Sequence, residues 1–141
     1  MRIGPARTEA ARAACFALRR AVFIEEQGID EAEEWDAADA TCLHLLAEDA
    51  TGPLGTARLI APGAQARIGR VAVAPRARGK GIGRRIMQAA LAEARVAGAT
   101  EVAVESQLGV IGFYEGLGFV AEGPVYDDGS GILHRVMRRA P

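Results

Sequence analysis

Histidine, cysteine and aromatic residues are all scarce in this chain, and each shortage narrows what it can be. The two histidines, His44 and His134, lie far apart in sequence, and the two cysteines, Cys15 and Cys42, sit in apolar stretches with no CxxC spacing. No metal centre is therefore expected, and the cysteines read as small buried hydrophobes rather than as a bridge. Aromatic residues are 5% of the chain and the formal net charge is −1. Few platforms exist for stacking bases, and no overall positive field draws a polyanion. A nucleic-acid partner is not expected, although Arg67, Arg70, Arg76, Arg78, Arg84 and Arg85 crowd one stretch. No apolar run approaches bilayer length and no basic-then-apolar leader opens the sequence, so no membrane partner is expected and a cytoplasmic, reducing location is the default. Repeats, low-complexity tracts and long linkers are missing too. What is present, 141 residues of which half are hydrophobic and a quarter charged, suits one soluble domain spanning 1–141.

Charge is unevenly spread. EEQGIDEAEEWDAAD, from Glu25 to Asp39, is acidic, and positive charge collects from Arg67 to Arg85. A solvated face is the simplest reading of either run. MRIGPA suits a first strand, and Thr8 suits the N-cap of a helix through about Val22, with Cys15, Leu18 and Val22 on one stripe. CLHLLAED, LGTARLIA and ARIGRVAV read as strands separated by the turns ATGP and PGAQ. A helix follows, with Ile82, Ile86, Ala90 and Ala94 on one face and Gly98 as its stop. TEVAVES is a strand, VIGFYEGLGF a short helix, and VAEGPVY and ILHRVMRR a hairpin across DDGSG. The order β-α-β-β-β-α-β-α-β-β predicts an α/β or α+β sheet domain.

RGKGIG, between the strand ending at Val73 and the helix beginning near Ile82, carries the sharpest signal. A helix N-terminus leaves backbone N–H groups unpaired, and glycines let several of them converge on one anion. Strand, glycine turn and helix thus make a phosphate cradle, with Arg78 and Lys80 adding charge. A Walker A loop fails because Gly81, not Ser or Thr, follows Lys80. A dinucleotide fingerprint fits poorly because position 84 is Arg. R-x-x-G-x-G is satisfied by Arg78, Gly81 and Gly83.

VAVAPRARGKGIG resembles motif A of the GNAT superfamily of coenzyme A-dependent N-acyltransferases, and GFYEGLGF resembles its motif B. LRRAVFIEEQGIDEAEEWDAAD and the terminal ILHRVM further resemble the ElaA-type branch. The resemblance implies a mixed, largely antiparallel sheet with a splayed central parallel strand pair flanked by helices. It implies acetyl-CoA as acyl donor, no metal, and direct attack by an amine without a covalent acyl-enzyme. The cofactor residues it implies are Val71, Ala72 and Val73 along the pantetheine arm, Arg78, Gly79, Lys80, Gly81, Ile82, Gly83 and Arg84 around the pyrophosphate, and Gln107 and Tyr114.

Within that resemblance the Val73 N–H is the expected donor to the thioester carbonyl, and Tyr114 the expected acid for the departing sulfur. Glu105 is the first choice for the proton acceptor, with Glu26, Asp39, His44 and His134 as rivals. Phe23, Glu26, Gln27, His44 and His134 are expected along the acceptor cleft. The acceptor is a small-molecule or peptide amine, and a homodimer is compatible with the resemblance. A coenzyme A-binding sensor without transfer is the alternative reading.

Overall fold

The computed structural model describes every residue from Met1 to Pro141. Seven strands form one sheet: β1 (Arg2–Pro5), β2 (Leu43–Asp49), β3 (Gly52–Ile60), β4 (Gln65–Val73), β5 (Glu101–Gln107), β6 (Val120–Asp127) and β7 (Leu133–Arg139). Their order is β1-β2-β3-β4-β5-β7-β6, and every neighbouring pair is antiparallel except β4 with β5. The expected mixed, largely antiparallel sheet is what forms.

Helices cover both faces. On one lies α1 (Glu9–Arg19), capped by the Thr8 hydroxyl, which accepts from the Ala11 amide at 3.0 Å. On the other lies α3 (Ile82–Val96), which buries Ile82, Ile86, Ala90 and Ala94 along one stripe. Strand alternation divides β2 between them: Leu45 and Ala47 join the core under α3, whereas Leu46 packs with Cys15 and Leu18 of α1. Each fully buried aliphatic side chain here, such as Leu45 or Ile86, stabilises the fold by roughly 1.5–3 kcal/mol.

The first helix does not end at Val22. Beyond Arg19 it widens into a π-helical turn through Glu26, closed by the Gln27 amide donating to the Val22 carbonyl at 3.0 Å. Such wide turns frequently mark functional sites. This one seats Phe23 against Ala72 of β4.

Sheet pairing between β4 and β5 covers only Gln65–Glu101, Ala66–Val102 and Arg67–Ala103. Beyond these the strands diverge, β4 running on to Val73 and β5 to Gln107. The divergence coincides with a bulge in β4, where Arg58 faces Gly69 but Thr56 faces Ala72, so Ala57 opposes two residues. Arg70 sits in that bulge with φ +52°, the only non-glycine residue with positive φ.

The acidic run is a solvated face only in part: Glu25, Asp30, Glu31 and Glu33 are exposed, but Glu34 is buried and Asp39 half-buried. It folds as α2 (Glu31–Glu34) and a 3₁₀ turn (Ala37–Ala40) against the sheet. Arg19, 1% exposed, donates to Glu34 at 2.8 Å and to Asp39 at 2.7 Å. Arg58 holds Asp36 and Asp39, and Arg70 holds Glu34. Removing one partner of a buried pair costs about 3–5 kcal/mol, so these arginines clamp the segment in place. The motif B helix is shorter than expected, with α4 spanning Ile111–Glu115 and Phe119 preceding β6.

Candidate active site

The glycine turn joins β4 to α3 through a 3₁₀ turn at Pro75–Ala77. Gly79 and Gly81 adopt φ +77° and +76°, a conformation that costs an L residue about 1–2 kcal/mol. A Cβ at either would meet nothing within 4 Å, so backbone conformation rather than crowding calls for glycine there. The consequence is a run of free donors. The amides of Gly79, Lys80, Gly81, Ile82, Gly83 and Arg84 have no protein acceptor, and no side chain caps the helix. Consecutive free N–H groups at the positive end of a 15-residue helix form an anion cradle.

Two charged side chains expected in the cradle are directed elsewhere. Arg78 lies on the Glu26 carboxylate at 2.6 and 2.7 Å and on the Val73 carbonyl at 3.1 Å. Arg84 donates to the Gly116 carbonyl at 3.2 Å, tying α3 to the end of α4. A methyl group on Gly83 would stand 3.4 Å from the Phe113 ring and 3.6 Å from Val73, so cradle, β4 and α4 converge at this point.

Val73 ends the free edge of β4. Ala74 donates its amide to Leu54 of β3 at 2.8 Å, and strand alternation turns the Val73 amide the other way, into the gap before β5. On the opposite bank Gln107 donates to the Gln27 side chain at 2.9 Å, bridging β5 and the π turn across the gap.

A pocket of about 170 Å³ occupies the divergence. Phe23, Gln27, Val71, Glu105, Gln107, Tyr114 and His134 all line it, so much of the expected site is brought together. Tyr114 is buried, with its ring edge-on to Phe113 and Phe119, and burial pushes its phenol up to about 12. Glu105 is exposed to the cleft, although Val104 beside it is core. His134 donates from Nδ1 to the Ile132 carbonyl at 2.7 Å in the tautomer that contact requires, with Nε2 3.6 Å from Asp128.

Ala72, Val73 and the cradle residues do not line this pocket, and neither do three residues expected on the acceptor side. Glu26 stands behind Arg78, whose hydrogen bond holds its carboxyl below the usual range. Asp39 is opposed by burial, which raises its pKa, but hydrogen bonds and charge from Arg19 and Arg58 prevail and hold it at about 2. Such a carboxylate is a poor base. His44 packs edge-on against Phe16 on the α1 face, with Nε2 on the Asp39 carbonyl at 2.9 Å. Asp39, Cys42 and His44 bring ligand-type atoms within 4.8 Å of one another, but two arginines already hold the Asp39 carboxylate.

Sequence reasoning passed over Glu34, Arg70, Asp128 and Ser130, which also line the pocket. Asp128 and Ser130 belong to DDGSG, where turn chemistry hid any other role, and Glu34 belongs to a run that read as solvated.

No helix is long and apolar enough to cross a membrane. The model of the acetyltransferase (GNAT) family matches residues 12–119. YyaT of Bacillus subtilis is 31% identical over 94% of this chain and 90% of its own. An acyl-CoA N-acyltransferase structure from Pseudomonas aeruginosa is 32% identical, covers 99% of this chain and 100% of its own, and superposes with TM-score 0.87. Escherichia coli ElaA is 25% identical, with 98% of each chain covered and TM-score 0.84. By its sequence match, its splayed sheet and its amide-lined glycine turn, this chain belongs to the GNAT acetyltransferase family.

Proposed function

We propose that the protein is an N-acetyltransferase that moves an acetyl group from acetyl-CoA to a primary amine by direct attack. The observation that carries this reading is the run of six acceptor-free amides from Gly79 to Arg84, set beside the unpaired edge of β4. A pyrophosphate fits such a cradle because the amides and the helix terminus supply positive potential without a bulky side chain. The β4 edge from Val71 to Val73 offers main-chain partners to an extended amide-bearing arm, as an added strand would use.

The thioester supplies an activated acyl group with a good leaving group. This chain's residues supply position and charge. The Val73 N–H, pointing into the gap, donates to the carbonyl oxygen as negative charge develops there. Tyr114, kept protonated by burial, donates to the departing sulfur. Glu105 faces the acceptor side and attracts an ammonium group. Holding both substrates in register contributes roughly 7–11 kcal/mol in favourable cases.

Incubating the protein with acetyl-CoA and a panel of amines, with free thiol and acylated product both measured, tests the proposal. Amine-dependent thiol release with a matching acylated amine is expected. Coenzyme A binding without turnover across the panel would make the protein a sensor instead.

A further inference from the structure

We propose that His134 is the general base, taking the proton of the acceptor amine at Nε2, with Asp128 as the positioning residue beside it. This assignment rests on the acetyl-transfer reading above and adds the proton path to it.

The ring is built for one orientation. His134 is 7% exposed, and β7 places it opposite Gln107 at the open end of β5 and opposite Tyr126 of β6. Its ring stacks on that of Tyr126, with centroids 6.0 Å apart and planes 28° apart. Nδ1–H donates to the Ile132 carbonyl at 2.7 Å, which leaves the lone pair on Nε2. Nε2 lies 3.6 Å from Asp128 Oδ2, beyond a direct hydrogen bond, on the side where His134 lines the pocket. Asp128 is itself fixed, accepting from the Ser130 amide at 3.0 Å and the Ser130 hydroxyl at 2.5 Å.

Charged groups reach this pocket region from every packed element. Glu105 comes from β5, Asp128 from the hairpin loop and Glu34 from α2; Arg58 comes from β3, and Arg67 and Arg70 from β4. Arg58 and Arg70 already hold Asp36 and Glu34. Neither Glu105 nor Asp128 has an arginine partner; Asp128 leaves negative charge next to Nε2, and Glu105 adds its charge to the same pocket, where an ammonium group would sit. The Tyr126 hydroxyl is buried behind the ring without an ordinary hydrogen bond, and burial together with the Glu105 charge pushes it up to about 12. It stays protonated and does not compete as a base.

The proton count closes. Nε2 takes one proton from the ammonium group, freeing the nitrogen pair that forms the N–C bond. As the C–S bond breaks, the sulfur takes the phenol proton of Tyr114. The second proton leaving the nitrogen restores that phenol through solvent, and His134 returns its own proton to solvent.

His134→Asn is the decisive variant, because its amide can keep the hydrogen bond to Ile132 while losing Nε2. With an amine that the native protein acylates, kcat is expected to fall about 10²-fold or more near neutral pH. The deficit should shrink as pH rises and the amine arrives already deprotonated. Coenzyme A affinity by calorimetry should be unchanged. Nitrogen NMR of the native protein should show His134 in the Nδ1–H tautomer, a readout independent of turnover. Asp128→Asn should lower kcat by a smaller factor. An unchanged kcat in His134→Asn, a deficit equal at every pH, or an Nε2–H tautomer would overturn the assignment. Absence of turnover in the native protein would overturn the transfer reading instead.

Discussion

Arg78 grips Glu26 through both terminal nitrogens, at 2.6 and 2.7 Å, while its Nε donates to the Val73 carbonyl at 3.1 Å. One side chain thus joins the π turn of α1, the end of β4 and the cradle. The Glu26 carboxylate occupies the guanidinium that a bound phosphate group would attract.

Glu26→Gln should therefore tighten coenzyme A binding, since the anion no longer competes with a carboxylate for Arg78. The gain should stay below about tenfold, because exposed ion pairs are weakly held. Calorimetric titration with coenzyme A measures it. Weaker binding would mean that the pair shapes the cradle instead of competing with its ligand.

Gly81→Ala places a Cβ on a residue at φ +76°. The strain, about 1–2 kcal/mol, lowers the melting temperature, and partial relief of it rotates the amides out of convergence. Both a drop of several degrees and a loss of coenzyme A affinity are expected. Scanning calorimetry with and without coenzyme A separates the two effects.

Tyr114→Phe removes a hydroxyl while keeping the ring that packs against Phe113 and Phe119. Turnover should fall 10²–10⁴-fold with coenzyme A affinity barely changed. Equal turnover in both proteins would remove Tyr114 from the chemistry.

Acid should loosen the clamp on the acidic segment at a defined point. The folded-state pKa of Asp39 is depressed from 3.8 to about 2, so its contribution is present above the unfolded value and lost as pH falls through the folded one. The difference corresponds to about 2 kcal/mol. Burial raises Glu34 despite its hydrogen bond from Arg19, so that group acts in the opposite sense. Asp39→Asn should be less stable than the native protein at pH 6, with the gap narrowing between about pH 4 and pH 2. Urea unfolding followed by the fluorescence of Trp35, whose ring lies 4.8 Å from the Arg19 guanidinium, reports directly on this segment.

Elements governed by local rules were legible in the sequence. The Thr8 cap, the stripe of Ile82, Ile86, Ala90 and Ala94 and the glycine turn all depend on neighbours in the chain, and they appear where the pattern placed them. Features that depend on distant partners were not. Nothing within RAVFIEE distinguishes a π turn from a continuing α-helix, because its reason is the contact of Phe23 with Ala72. Glu34 and Asp39 look like surface charge until Arg19, Arg58 and Arg70 arrive from other elements. The bulge was hidden for a sharper reason. Its left-handed residue is Arg70, although Gly69 stands next to it, and the Arg70 guanidinium is anchored on the Glu34 carbonyl at 3.0 and 3.2 Å.

That bulge acts as a parity switch along β4. Ala66 and Ile68 pack beneath α3, yet Ala72, an even number of residues further on, packs against Val22 and Phe23 on the opposite face. After the extra residue it is Val71 and Val73 that turn towards the α3 side. One strand therefore serves two layers, with even positions facing α3 in its first half and odd positions in its second. Its length is consequently fixed to the residue. Deleting Arg70 would not merely shorten a strand, because it would force the residues on one side of the cut to exchange faces. Either the core would lose Ile68 or the π turn would lose its seat on Ala72.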